Sequence, residues 1–166
     1  AELASIAAQC LDSAIGMVKD SKTVDQGSVT RMRQELKSMV KDKVIAAASE
    51  ALGAAWDTSA QAEGLAPDRE AFAAAESAAR AMRKCGKMAS KLGVEATVSK
   101  EIASSLAAVR QGVDQTLVGL EKGNLKEIDA ARNTVANATR ILEILDGPEK
   151  AYEFYREKRV TLRAQE

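Results

Sequence analysis

Two apolar stripes, set almost end to end, constrain this chain more than any other feature. Ile102, Leu106, Val109, Val113, Leu117 and Leu120 recur at steps of three and four residues, and Ile128, Ala131, Val135, Ala138, Leu142 and Leu145 do the same. That step is the period of an α-helix, so each series marks one face of a helix several turns long. A face so regular must be covered, and two such helices joined at Gly123-Asn124 cover each other first. Gly123 reads as the C-cap of the first helix. Asn124 reads as the N-cap of the second, with Glu127 three residues on completing a capping-box pattern. The stretch from Thr97 to Leu145 therefore predicts two antiparallel neighbours with almost no loop between them.

The same period recurs along the chain. Leu3, Ile6, Ala7, Cys10, Leu11, Ala14, Ile15 and Val18 predict a helix over Glu2–Lys19, followed by a polar connection from Asp20 to Gly27. Met32, Leu36, Met39, Val40, Val44, Ala47, Ala51, Leu52 and Ala55 predict a helix from an N-cap at Ser28 to Trp56. At about 1.5 Å per residue it would reach roughly 43 Å. Asp57 to Pro67 has no apolar period and reads as the longest loop. Asp68 caps the next helix, whose Phe72, Ala75, Ala78, Met82, Cys85, Met88, Ala89 and Leu92 face inward until Gly93 stops it in a left-handed conformation. Asp146-Gly147 ends the hairpin, and Pro148 suits the first turn of a further helix to about Leu162. The expected fold class is all-α, an up-and-down antiparallel helical bundle. Four main helices lie between Ser28 and Asp146, with an N-terminal helix alongside and a short C-terminal helical tail. Residues 1–147 are expected to form the bundle. Residues 148–166 are expected to form a C-terminal helical tail that serves as a docking segment and can be removed with little loss of helix.

Composition narrows the function. The chain has no histidine, which removes the commonest general base and metal ligand together. No Gly-rich phosphate loop, GxSxG, HExxH or CxxC occurs. Carboxylates fall on outward faces beside Lys or Arg, so no pair is set up for acid–base work. No enzyme activity, cofactor or metal is expected. Lys plus Arg and Asp plus Glu both number 24, a balance that argues against a dedicated nucleic-acid binder. No apolar run approaches the roughly 18 to 20 residues of a membrane-spanning helix. The Ala-rich start without Met suits a processed N-terminus, hence an exported or organelle-lumen protein. Cys10 and Cys85 read either as two buried thiols or as one inter-helix disulfide.

Two surfaces stand out. Arg80, Arg83, Lys84, Lys87 and Lys91 share one face of the helix that Asp68 caps. Cations near a helix C-terminus complement its dipole, which explains much of the pattern; the alternative is a contact with an acidic protein or an anionic membrane surface. The tail is denser in information. Of five aromatic residues in the chain, Tyr152, Phe154 and Tyr155 fall within four positions, followed by Arg156, Lys158, Arg159 and Arg163. Consecutive helical residues are about 100° apart, so at least one ring should point away from the bundle. Aromatics beside Arg form the composition of an interface anchor, although the rings could instead cap the open end of the bundle. Trp56 reads as a plug at the end of its helix.

The positions of Leu3, Ile6, Ala7, Cys10, Leu11, Ala14 and Val18 resemble the helices of talin-type and vinculin-type rod bundles. That implies a cytoskeletal adaptor-like bundle. The whole chain, with an Ala-rich four-helix core and a free first helix, is similar to the extrinsic lumenal bundle proteins of photosynthetic complexes. That implies a non-catalytic subunit docked on a membrane complex. The expected function is a non-enzymatic accessory subunit that docks on and stabilises a larger protein assembly, membrane-associated if the second resemblance holds. Its contacts would be Tyr152, Phe154, Tyr155, Arg156 and Arg159, with Arg80, Arg83, Lys84, Lys87 and Lys91. The alternative is a carrier that opens to hold a lipid or apolar ligand, which needs an apolar pocket above about 300 Å³.

Overall fold

The structure, a computed structural model, describes residues 13, 16, 26–56, 69–120 and 124–165. Most of the expected first helix, with Cys10, lies outside these residues, as do Asp57–Pro67 and Gly123. The described residues form an all-α bundle with no strand. In order come α1 (Gln26–Met39), a π-helical segment (Val40–Ile45), α2 (Ala46–Ala55), α3 (Arg69–Leu92), α4 (Glu95–Val118), α5 (Leu125–Asp146) and α6 (Pro148–Gln165).

The first three segments make one continuous rod, since the flanking residues Met39 and Ala46 both keep helical backbone angles. The π-helical segment changes which residues face the core. A π-turn hydrogen-bonds over five residues instead of four and so inserts one extra residue per turn. After Val40 the next buried position is therefore Ile45, not Val44, and the series continues through Ala48, Leu52 and Ala55. Val44 is only half-buried, and Ala47 and Met39 are exposed. The expected inner series is therefore corrected at Val44 and Ala47, replaced by Ile45 and Ala48, while Leu52 and Ala55 are buried as expected.

α3 ends as its glycine predicts. Gly93 takes φ +66°, its N–H donates to the Ser90 carbonyl, and the Val94 N–H donates back to Ala89 at 3.0 Å. Val94 is itself buried, closing the turn with an apolar contact. α4 then runs antiparallel to α3, because Met82 meets Ser105 while Gly86 meets Ile102. α2 and α4 run in the same sense, with Ser49 bonded to Glu101 and Trp56 seated on Gly112.

α4 shows two departures from expectation. It ends at Val118, with Gly119 as its C-cap, so Leu120 lies beyond the helix. Its buried line also includes Val98, Ser105 and Gly112, while Ile102 and Leu106 are only partly buried. α5 begins as expected, with the Asn124 side chain accepting from the Glu127 N–H. It packs against α3, α4 and α6 and buries Ile128, Ala131, Val135, Ala138, Ile141, Leu142 and Ile144.

Gly147, at φ +101°, turns the chain into α6; its N–H donates to the Leu142 carbonyl and its own carbonyl accepts from Ala151. α6 is not a short appendage. It spans 18 residues along α5 and sends Ala151, Phe154 and Leu162 into the core. Cutting the chain after Gly147 would uncover those contacts.

Candidate functional site

The basic face of α3 is present but partly engaged. Arg80, Arg83, Lys84 and Lys87 are exposed, and Lys91 continues their spacing at a position whose side chain lies outside the described set. Arg80 Nη2 donates to Glu76 Oε1 at 2.6 Å, and Arg140 Nε of α5 donates to the same oxygen at 3.2 Å. Arg140 also reaches Glu143 at 2.7 Å. This chain of four charges fastens α3 to α5. The Arg80 hydrogen bond, against desolvation and with help from Arg140, holds the Glu76 carboxyl below its usual range. Arg80 thus belongs to the bundle's own network, which leaves Arg83, Lys84 and Lys87 as the outward part of the stripe.

The three aromatics of α6 divide between core and solvent. Phe154 is 6% exposed and packs inward, so the structure removes it from the candidate contact residues. Tyr152 is 65% exposed and Tyr155 38%. The reason is angular: residues 151, 154, 158 and 162 share the inner side, which turns 152, 155, 156, 159 and 163 outward. Lys158 occupies the inner series. Its Nζ stands over the Phe154 ring, 5.6 Å from the ring centre, and the side chain is only 12% exposed. Nζ pairs with Asp114 of α4 and with Glu157, both near 2.8 Å. Burial alone would lower its pKa, but the bonds to Asp114 and Glu157 outweigh burial and raise it. A second fastening joins Asp146 to Arg110 of α4 and to Lys150.

Arg156, Arg159 and Arg163 are exposed and form no ion pair with another described residue. Two of them, Arg159 and Arg163, overhang a cleft of about 480 Å³ between α5 and α6, opposite Arg132 and Asn133. The sequence analysis did not find Arg132 and Asn133, because their role depends on how α5 and α6 pair across Gly147. An antiparallel pairing about that turn, read as 132 opposite 162, is the signal that could have found them.

Two further hollows lie among the described residues. One of about 700 Å³ lies on the outer side of α4 and is rimmed by Arg110, Gln111, Asp114 and Gln115; one of about 410 Å³ holds the Lys158 fastening. Both exceed the expected size threshold, but both open to solvent rather than lying between core faces. Inside, Ala75, Ala79, Ala131 and Ala138 are fully buried and bring the helices close. Among the described residues no three Cys, Asp or Glu side chains gather as metal ligands. Cys85 is a free, half-buried thiol whose pKa is raised by desolvation, which keeps it a poor nucleophile. No described helix is long and apolar enough to cross a membrane.

Comparisons with protein-family models, with curated proteins and with solved structures returned no match, so the functional reading rests on the residues of this chain.

Proposed function

We propose that this protein is a non-enzymatic accessory subunit that docks on a larger protein assembly through the outward face of α6. One observation carries the reading: Tyr152 and Tyr155 stand exposed beside Arg156, Arg159 and Arg163, none of which is neutralised by a described carboxylate. Tyr and Arg are the residue types in which binding energy concentrates at protein interfaces. The helix beneath them is held by Phe154, Leu162 and the Lys158–Asp114 pair, so the face is presented rigidly and little ordering entropy is lost on binding. The exposed remainder of the α3 stripe, Arg83, Lys84 and Lys87, serves as an auxiliary contact for an acidic or anionic surface.

The test compares the tagged wild-type chain with a Tyr152→Ala/Arg156→Glu variant in native extracts. Wild type is expected to co-purify with a defined assembly and the variant to lose it, while the melting temperatures stay within about 2 °C. Full retention by the folded variant would overturn the reading.

A further inference from the structure

Among the described residues, the cleft between α5 and α6 differs in charge from the seams at Arg110 and Arg140. At those seams the arginine that crosses from one helix to another ends on a carboxylate: Arg110 on Asp146, Arg140 on Glu76. Across this cleft Arg132 of α5 faces Arg159 and Arg163 of α6, and no Asp or Glu is among the described residues that line it. Arg132 is joined to Asp129 on its own helix, at 2.6 Å; Arg159 and Arg163 meet no carboxylate among the described residues. Guanidinium groups gathered around a concavity focus a positive potential there, although the whole chain has zero formal charge.

The floor is apolar. Val135 and Leu162 close it from below and Ala136 faces outward between the rims. From Tyr155 to Arg163 the groove follows α6 for two turns, about 12 Å. An apolar strip flanked on both sides by cations is the negative image of an amphipathic helix whose apolar stripe is bordered by Asp or Glu. A phosphate is served less well. The cleft begins two turns inside α5, so no free N-terminal N–H groups face it, and Tyr155 is its one aromatic ring. Carboxylates match the arginine fork in bidentate geometry and need neither.

We infer that the α5–α6 cleft seats an acidic amphipathic helix of a partner protein, its carboxylates on Arg159 and Arg163 and its apolar edge on Ala136. The inference rests on the docking role of α6 and names the chemistry of what docks there. Because the apolar floor is narrow, charge supplies much of the attraction, and binding weakens as salt rises.

The probe is a labelled synthetic helix of about five turns with a Leu stripe bordered by Glu, beside a matched peptide with every Glu replaced by Gln. Binding to the full chain is read by fluorescence anisotropy at low and at physiological salt. The Glu peptide should bind at least about tenfold more tightly than the Gln peptide. Arg159→Glu/Arg163→Glu should weaken it about tenfold or more, and Lys41→Glu/Lys100→Glu, exposed on the rod and on α4, by less than about twofold. Both pairs are exposed, and circular dichroism checks that each variant is folded. Equal losses from the two variants would mean unspecific attraction and overturn the inference, as would equal binding of the Gln peptide. Tighter binding of duplex DNA or phosphatidylserine vesicles through Arg159 and Arg163 would overturn it in favour of a phosphate ligand. Unchanged peptide affinity in Arg159→Glu/Arg163→Glu, with assembly lost in Tyr152→Ala/Arg156→Glu, overturns the cleft and spares the docking role. Assembly retained by Tyr152→Ala/Arg156→Glu overturns the docking role whatever the peptide does.

Discussion

α5 and α6 are consecutive, of similar length and packed on each other, yet they divide the work of the molecule between them. α5 is covered by α3, α4 and α6, and even its buried Thr134 is satisfied internally, by the Ala130 carbonyl. α6 is covered on one side only and leaves Tyr152, Tyr155 and Val160 in solvent. A helix enclosed by three neighbours can tolerate little change, because each side chain fits a fixed volume. A helix at the margin needs only a narrow inner series, here residues 151, 154, 158 and 162, and the rest of its surface is available for a partner. Position in the packing order, more than sequence composition, separates scaffold from contact.

The strongest way to break this comparison is to remove α6 altogether. A chain lacking residues 148–166 loses Phe154 and Leu162 from the core, at about 2 to 5 kcal/mol each, out of a typical total of about 5 to 15 kcal/mol. Urea titration followed by circular dichroism should show a destabilised or unfolded protein; an unchanged midpoint would mean α6 is an appendage after all. Next comes Leu142→Ala in α5, fully buried, expected to cost about 2 to 5 kcal/mol. Leu106→Ala in α4, half-buried, should cost about 1 to 2 kcal/mol, and reversal of that order would contradict the assigned faces.

Acid gives a smaller effect. The Glu76 carboxyl is held below its usual 4.5 by Arg80 and Arg140, so its contribution is complete above that value and is lost as pH falls through the lowered folded value. Glu76→Gln should flatten the acid limb of stability against pH, by no more than about 1 kcal/mol for so exposed a network. The smallest change in stability is expected from Tyr152→Ala, within about 0.5 kcal/mol by thermal melting, despite its predicted loss of association. That contrast with Leu142→Ala sharpens the division between the two helices most directly.

The apolar period of α5, the Asn124 cap and the Gly93 stop were legible in the sequence because each is decided within a few residues. What was not legible depended on neighbours. The π-helical segment turns Ile45 inward in place of Val44, a choice made by backbone hydrogen bonding that no composition marks. Ser105 and Gly112 are buried because large partners fill the space above them: Met82 accepts the Ser105 hydroxyl, and an added Cβ at Gly112 would stand 3.2 Å from that of Trp56. The inner face of α6 was hidden by Lys158, a cation in an otherwise apolar series, whose burial makes sense only once Asp114 is beside it. The cleft depends wholly on the pairing of α5 with α6 and so left almost no trace in either helix alone.

The chain's single tryptophan gives the α2–α4 seam an optical signal of its own. Trp56 is 5% exposed, and its Nε1 finds no hydrogen-bond partner among the described residues. An indole so dry emits at short wavelength and shifts to the red only when water reaches it, which requires α2 to lift away from Gly112. Tyr152 and Tyr155 sit on α6, at a different seam, so tryptophan emission and tyrosine absorbance watch two places in one molecule without any label. Coincident transitions at the two would identify a single cooperative unit. An earlier red shift would show that the rod detaches first, leaving the α3–α6 core and its docking face intact.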